Sequence, residues 1–439
     1  MVCRTATAQV LPPGFDYKLS PRLLQPAARA GLPTGRALHF LLQCSDTAQL
    51  SPLLNGKKDS IRIDYAYAGV LAITAYPALV YSRLLPMSCI SFIDINERQA
   101  REEAIINGFD YTTNHINKVH STLPLMTGKD NMVLIKENKP DTADIDFKGR
   151  FVSTPLSSGS LSSHATIMGT IIAGGGNSFY TARGVAPGAA LGSSSFAILL
   201  PDSDAAYRRY GVLVQNHSYG TGIENYYGAD AAAYDASVVN NPSLLHVFSS
   251  GNSGDQSPTL GTYKGIAGRA NLTGSFKMAK NIITVGSIDS FYTVPLLSSK
   301  GPAYDGRIKP ELVAYGEDGS SGAAALVSGT ALLLQQVYKE QHGGQAAEAA
   351  LVKAVLLNTA GEVSSKGIDF ISGFGSLDAW RAVKELQAGH FFSGTVAQAQ
   401  SQTFSLSLPA NAKNLKLLLG WTDPPAAANA PTALVNDLD

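Results

Sequence analysis

The sequence predicts an α/β protein: a parallel sheet flanked by helices, preceded by a small α+β unit and followed by an incomplete antiparallel β module. Three observations predict it. From about residue 126 to 388, short buried-looking strands such as "GVLVQNHSYG", "LLHVFSSGN" and "NIITVGSID" alternate with helical stretches, the texture of a parallel sheet covered on both faces. Residues 1–125 read as a separate strand–helix–strand unit. From 389 to 439 the texture changes, and "TFSLSLP" alternates apolar with polar residues, the period of a half-buried strand. A chain of 439 residues is long enough for two or three such units.

Taken in order, the first unit holds two strand-like runs, "IRIDYAYAGVLAITAY" and "SCISFIDI", with a strand over 68–76 and a helix over 78–85. The charge-free stretch from Tyr65 to Ser82 is long enough to consider as a membrane span. Thr74, Pro77 and several tyrosines make it a strand followed by a helix instead. "NERQAREEAIINGFDYTTNHINKVHSTLP" predicts a helix and then a loop ending at Pro124, with "ERQAREEA" as a solvated helix face. In the central unit, ligands are expected beyond the carboxyl ends of the strands, where Tyr219 and Asn252 fall. The last unit has room for only two or three strands, too few to close a sandwich.

Composition excludes several classes of function. Lysine plus arginine (34) balance aspartate plus glutamate (34), so no net field draws in nucleic acid or an anionic membrane. Cys3, Cys44 and Cys89 make neither a disulfide framework nor a zinc motif. "TATAQV" sets Ala6 and Ala8 at the small-residue positions of a signal-peptidase site, without the apolar segment that should precede them. A secreted or cell-envelope protein with a truncated signal segment is the expectation.

Three stretches carry chemistry. "SSHATIMGTIIAGGGN" begins a charge-free helix with His164. "GEDGSSGAAALVSGTALLLQQVY" sets Ser320 and Ser321 at the start of a long apolar helix. A serine there serves as a cap, but the free N–H groups and positive dipole end also favour a negative oxygen beside it. "HVFSSGNSG" contains Asn252 in a glycine-flanked turn, either a turn residue or an amide donor for an oxyanion.

Together these stretches resemble the motifs of the subtilisin-like serine peptidases. "HATIMGTIIAG" is similar without gaps to the family's His-Gly-Thr-His-Val-Ala-Gly-Thr-Ile-Ala-Gly, and "GSSGAAALVSG" to its Gly-Thr-Ser-Met-Ala-Ala-Pro-His-Val-Ala-Gly. "SSGNSG", "SSKGPAYDGRIKPELVAYG", "GVAPGAAL" and "SGFGSLDAWRAV" resemble further family segments, so the likeness covers about 130–388. It implies a subtilisin-like fold and a serine endopeptidase with His164 as base, Ser321 as nucleophile and Asn252 as oxyanion donor. "DIDFKGR" resembles the family's His-Pro-Asp-Leu-Lys-Gly-Arg and thereby sets Glu137 on the orienting acid. Asp141 is the alternative acid, at the cost of a four-residue shift.

The resemblance also implies that Ser218, Tyr219 and Gly220, with Ser249, Ser250 and Gly251, border a cleft where an extended polypeptide pairs by backbone bonds. Tyr219 either narrows that cleft or packs inward, and His217 reads as structural. It implies that residues 1–125 are a propeptide-like domain acting as an intramolecular inhibitor, and that the chain is a monomer. No cofactor is required. Structural calcium is common in the family, but no ligand cluster here is specific enough to name. Ala165, Ile167, Gly322, Ala325 and Leu326 depart from the motifs. Most of these are packing changes on helix faces, but Glu137 in place of aspartate, Gly322 and a short loop between "VAYG" and the serine leave a rival reading: an inactive peptide-binding scaffold of the same fold.

Overall fold

A computed structural model describes residues 14–25, 35–54, 61–102, 110–316, 319–363, 366–408 and 410–438. The signal-like residues Ala6 and Ala8 lie outside these. The amino-terminal unit is a four-stranded antiparallel sheet of β1 (Leu38–Cys44), β2 (Arg62–Tyr67), β3 (Val70–Ala75) and β4 (Ile90–Ile95), in the order β2-β3-β1-β4. The single strand expected in "IRIDYAYAGVLAITAY" is a hairpin. Ala68 and Gly69 both take left-handed φ, 46° and 79°, the geometry whose twist matches two antiparallel strands. The run over 78–85 is helical, Pro77–Leu79 leading into a wider turn over Val80–Leu84.

That sheet has two apolar faces. One buries Phe40, Leu42, Leu71, Ile73 and Ile93 under the helical turn carrying Val80 and Leu84. The other presents Leu41, Tyr67, Val70 and Phe92 to Leu200, Tyr226, Ala229 and Ala233 of the main body. The unit is thus docked by a second core as well as by its chain connection.

The main body is a six-stranded parallel sheet, β12-β11-β10-β8-β6-β7, in agreement with the α/β expectation. Its strands are β6 (Met132–Glu137), β7 (Ala190–Ser195), β8 (Val212–His217), β10 (Leu245–Ser249), β11 (Ile283–Ile288) and β12 (Leu312–Tyr315). Seven helices of seven or more residues accompany them among the described residues: α1 (Ile116–Thr122), α2 (Ser163–Ala173), α3 (Asp204–Tyr210), α4 (Ala229–Asn240), α5 (Ser320–Gln341), α6 (Ala349–Asn358) and α7 (Ala379–Gln387). Val133 and Ile135 of β6 point into the core with α2 and α5, while Met132 and Leu134 point to the opposite side, as the period of two requires. Helix α5 runs through the centre of the body. Gly329 lets it do so, because a Cβ there would lie 2.5 Å from Val185 Cβ.

Three expectations are corrected. Glu97 to Glu102 is not helical; Arg101–Glu102 forms a short strand, β5, paired with β9 (Tyr219–Gly220). The remainder of that expected helix, 103–109, lies outside the described residues. The helix of the region is instead α1, in the part read as loop, where Ile116 and Val119 join the main core. Residues 110–125 therefore pack with the main body rather than with the amino-terminal sheet.

The incomplete antiparallel β module is not formed, for no strand is assigned among the described residues after 389. Phe404, Leu406, Leu408, Leu415, Leu417 and Leu419 alternate as a strand would, yet remain exposed. Alternation makes a sheet only when a second segment supplies the ladder partners. The segment that follows crosses both units: Asn429 Nδ2 donates to Leu19 O at 2.9 Å, and Tyr304 Oη to Ala430 O at 2.7 Å.

Candidate active site

Each candidate side chain stands at an element end on the carboxyl edge of the parallel sheet. Glu137 is the last residue of β6 and fully buried. His164 is the second residue of α2, whose first turn is capped by Ser162 Oγ accepting from Ala165 N–H at 3.2 Å. Lys139 N–H donates to Ser160 O at 2.8 Å and Ser162 N–H donates to Lys139 O at 2.9 Å, tying the start of α2 to the segment leaving β6. The result is a direct contact. His164 Nδ1 lies 2.8 Å from Glu137 Oε2, with both side chains at most 2 % exposed. A carboxylate on Nδ1 sets the proton on that nitrogen and leaves Nε2, on the far side of the ring, as the basic atom.

Asp141 is elsewhere. It is exposed, its Oδ1 accepts from Ala143 N–H at 2.9 Å, and its N–H donates to Thr166 Oγ1 at 2.8 Å. The carboxylate on the imidazole is that of Glu137.

Ser321 is the second residue of α5, buried, behind an N-cap Gly319 at φ 143°. The side chains around it form a lattice joining the two strand-end segments. Ser321 Oγ is 3.5 Å from Ser218 O, and Ser218 Oγ donates to Ser321 O at 3.1 Å. Ser320 Oγ accepts from Gly251 N–H at 3.0 Å. Asn252 Oδ1 accepts from Ser320 N–H at 3.0 Å, which takes up the oxygen end of the amide. Ser320, a cap candidate in the sequence, thus anchors the 251–252 turn onto α5. Helix α2 also packs on α5, which brings the histidine-bearing and serine-bearing helices together.

The cleft residues divide by side chain. Ser218, Tyr219, Gly220, Ser249, Ser250 and Gly251 lie on two neighbouring segments at the ends of β8 and β10. The Tyr219 side chain packs inward, edge-on to Phe248 and near Phe276, fully buried. His217 is stacked on Phe248 at 3.9 Å and shares hydrogen bonds with Tyr219 Oη and His246 Nδ1, each at 3.1 Å. Burial first, then the neighbouring His246, Lys136 and Lys277, hold its pKa well below the usual imidazole range. Burial likewise lowers His246 to about 3. Both rings are neutral supports beneath the cleft.

Two neighbours escape sequence reasoning. Thr273 N–H donates to Ser250 O at 3.3 Å and Thr273 O accepts from Thr221 N–H at 3.4 Å, so its backbone closes the floor between both cleft walls. Lys277, fully buried, donates from Nζ to Thr273 Oγ1 at 2.7 Å. Among the described residues no group of three or more His, Cys, Asp or Glu side chains is arranged to hold a metal ion, and no helix is long and apolar enough to cross a membrane.

A model of the Subtilase family matches residues 107–375, well over half of the chain. The chain belongs to the subtilase family. A curated relative, the serine protease/ABC transporter B family protein tagA of Dictyostelium discoideum, is 24 % identical over 221 residues, and the match covers 39 % of this subtilase and 13 % of that protein. This subtilase therefore spans a small part of that relative's length. Among solved structures, the epidermin leader peptide processing serine protease EpiP of Staphylococcus aureus aligns over 82 % of this chain and 100 % of its own, with TM-score 0.58 and 16 % identity. Fervidolysin of Fervidobacterium pennivorans, a keratinolytic enzyme related to subtilisin, aligns over 80 % of this chain and 62 % of its own, with TM-score 0.53 and 18 % identity. Both likenesses are likenesses of fold.

Proposed function

We propose that this subtilase is a serine endopeptidase in which Glu137, His164 and Ser321 form the catalytic triad and Asn252 supplies an oxyanion donor. The observation that carries this reading is the buried 2.8 Å contact between His164 Nδ1 and Glu137 Oε2. Such a contact orders one ring orientation and one tautomer, which a merely capping histidine does not need. His164 Nε2 takes the Ser321 hydroxyl proton as Oγ attacks a peptide carbonyl. The negative oxygen that develops is met by the Asn252 NH2 group and the Ser321 backbone N–H in the first turn of α5, where the helix dipole adds to the stabilisation. His164 then gives the proton to the departing amine, and water releases the acyl group by the same steps in reverse. Glu137 stays ionised throughout and stabilises the imidazolium.

The reading is tested by the hydrolysis of internally quenched peptides by the full-length protein, with His164→Ala as control. Cleavage that disappears in the control supports it; a folded protein that binds such peptides without cutting them is the inactive scaffold. Asn252→Ala is expected to lower kcat by about 10^2- to 10^3-fold with little change in KM, read from the same peptides.

The amino-terminal unit, residues 1–125 in the sequence reading, is part of the proposal as an intramolecular inhibitor. Its outgoing strand β5 pairs antiparallel with β9, Arg101 opposite Gly220 and Glu102 opposite Tyr219, which is the backbone pairing expected of a substrate. Arg98 anchors that strand with a side chain only 3 % exposed, held by Glu224 at 2.9 Å and Asp230 at 3.0 Å. Removing Arg98 leaves the buried Asp230 carboxylate without this cation and Glu224 with Arg22 alone, and breaking such a buried pair costs about 3–5 kcal/mol. Arg98→Ala should therefore loosen the strand, and an excess of early activity over the parent in a time course on added peptide would register it. Export to the envelope or medium, suggested by Ala6 and Ala8, belongs to the same proposal, as do polypeptide substrates and a monomeric state.

A further inference from the structure

We propose that Lys277 makes this subtilase cut after acidic residues, its ammonium forming the positive floor of the subsite for the side chain that precedes the scissile bond. The inference rests on the peptidase reading and names its substrate class.

Three features of the fold converge on it. The first is the floor itself. Thr273 bonds both cleft walls through its backbone, to Ser250 at 3.3 Å and from Thr221 at 3.4 Å. Its side chain lies directly under Gly251, where an added Cβ would come within 2.3 Å of Thr273 Oγ1. Thr273 also lines the open cavity beside Gly220, Ser253 and Arg101. The second is the charge. Lys277, in the short helical turn Ser275–Met278, is wholly buried and directs Nζ to Thr273 Oγ1 at 2.7 Å. An ammonium kept out of water interacts strongly with a carboxylate that reaches it and disfavours a cationic side chain in the same space.

The third feature is the direction of β5. Arg101 opposite Gly220 and Glu102 opposite Tyr219 carry the chain towards Ser218, whose carbonyl is 3.5 Å from Ser321 Oγ. Residue 103 lies outside the described residues, but the sequence there reads Arg101-Glu102-Glu103-Ala104. Glu102 is thus followed in the sequence by a second carboxylate, Glu103. The buried cation and these acidic residues are of opposite charge, and neither follows from the other.

The test is a set of otherwise identical quenched peptides with Glu, Asp, Gln, Leu or Lys before the cut, assayed on the full-length protein after self-processing. Expected is a kcat/KM for Glu on the order of 10^2 above Gln and Leu, and no measurable cleavage after Lys. Lys277→Met should remove that preference and favour Leu. Should this variant not fold, the parent series alone decides. Equal cleavage after Glu, Gln and Leu by a protein that still accepts a fluorophosphonate on Ser321 would overturn the inference and leave the peptidase reading standing. No adduct and no cleavage of any peptide would overturn both.

Discussion

Glu137→Gln is expected to lower kcat by about 10^4-fold while leaving KM within a small factor. The amide keeps the size of the carboxylate but offers an NH2 as readily as an oxygen to His164 Nδ1, now 2.8 Å away. The imidazole then settles with its proton on Nε2, where it can no longer accept the Ser321 hydroxyl proton, and the imidazolium loses its counter-charge. Asp141→Asn should change kcat by less than about threefold, since its carboxylate only closes a turn onto Ala143 N–H and such exposed surface changes are usually near neutral. Steady-state rates on one peptide, with thermal melting to confirm folding, compare the two. Equal losses, or a larger loss for Asp141→Asn, would move the orienting acid to the alternative position.

The second large effect is that of Ser321→Ala, for which a loss on the order of 10^6 in kcat is expected, as where serine and histidine act as one unit. Folding should survive. The hydroxyl donates to Ser218 O at a long 3.5 Å, while the links that hold α5 to the 251–252 turn belong to Ser320. The neighbouring Ser320→Ala should show the opposite balance: a stability loss of about 1–3 kcal/mol from the buried partners it leaves, and a smaller fall in kcat through a displaced Asn252. Comparing melting temperature and kcat for the two serines separates a nucleophile from an anchor. A Ser321→Ala protein that still self-processes would show that the reacting hydroxyl lies elsewhere.

Much of this site was legible because its signals are local. A histidine opening an apolar helix and a serine opening another are read directly, and gapless spacing from "DIDFKGR" leads back to Glu137, the residue whose carboxylate meets His164. The parallel sheet was legible for the same reason, its strands being short runs without a charged, solvent-facing side. What failed to read was set by contacts distant in sequence. "ERQAREEA" has the charge balance of a solvated helix, yet Arg98 is buried by Glu224, 126 residues away. Lys277 in "SFKMAK" looks like any surface lysine until Thr273 and the cleft floor enclose it. The carboxyl-terminal alternation misled in the other direction, because a strand period says nothing of whether a partner strand exists.

The proposed triad requires Ser321 to be activated by His164, and covalent labelling measures that most directly. The full-length protein, incubated with a fluorophosphonate and digested, should carry one adduct, on Ser321, and His164→Ala should carry none while melting like its parent. An unmodified Ser321, an adduct on Ser320 in its place, or undiminished labelling in His164→Ala would contradict the triad.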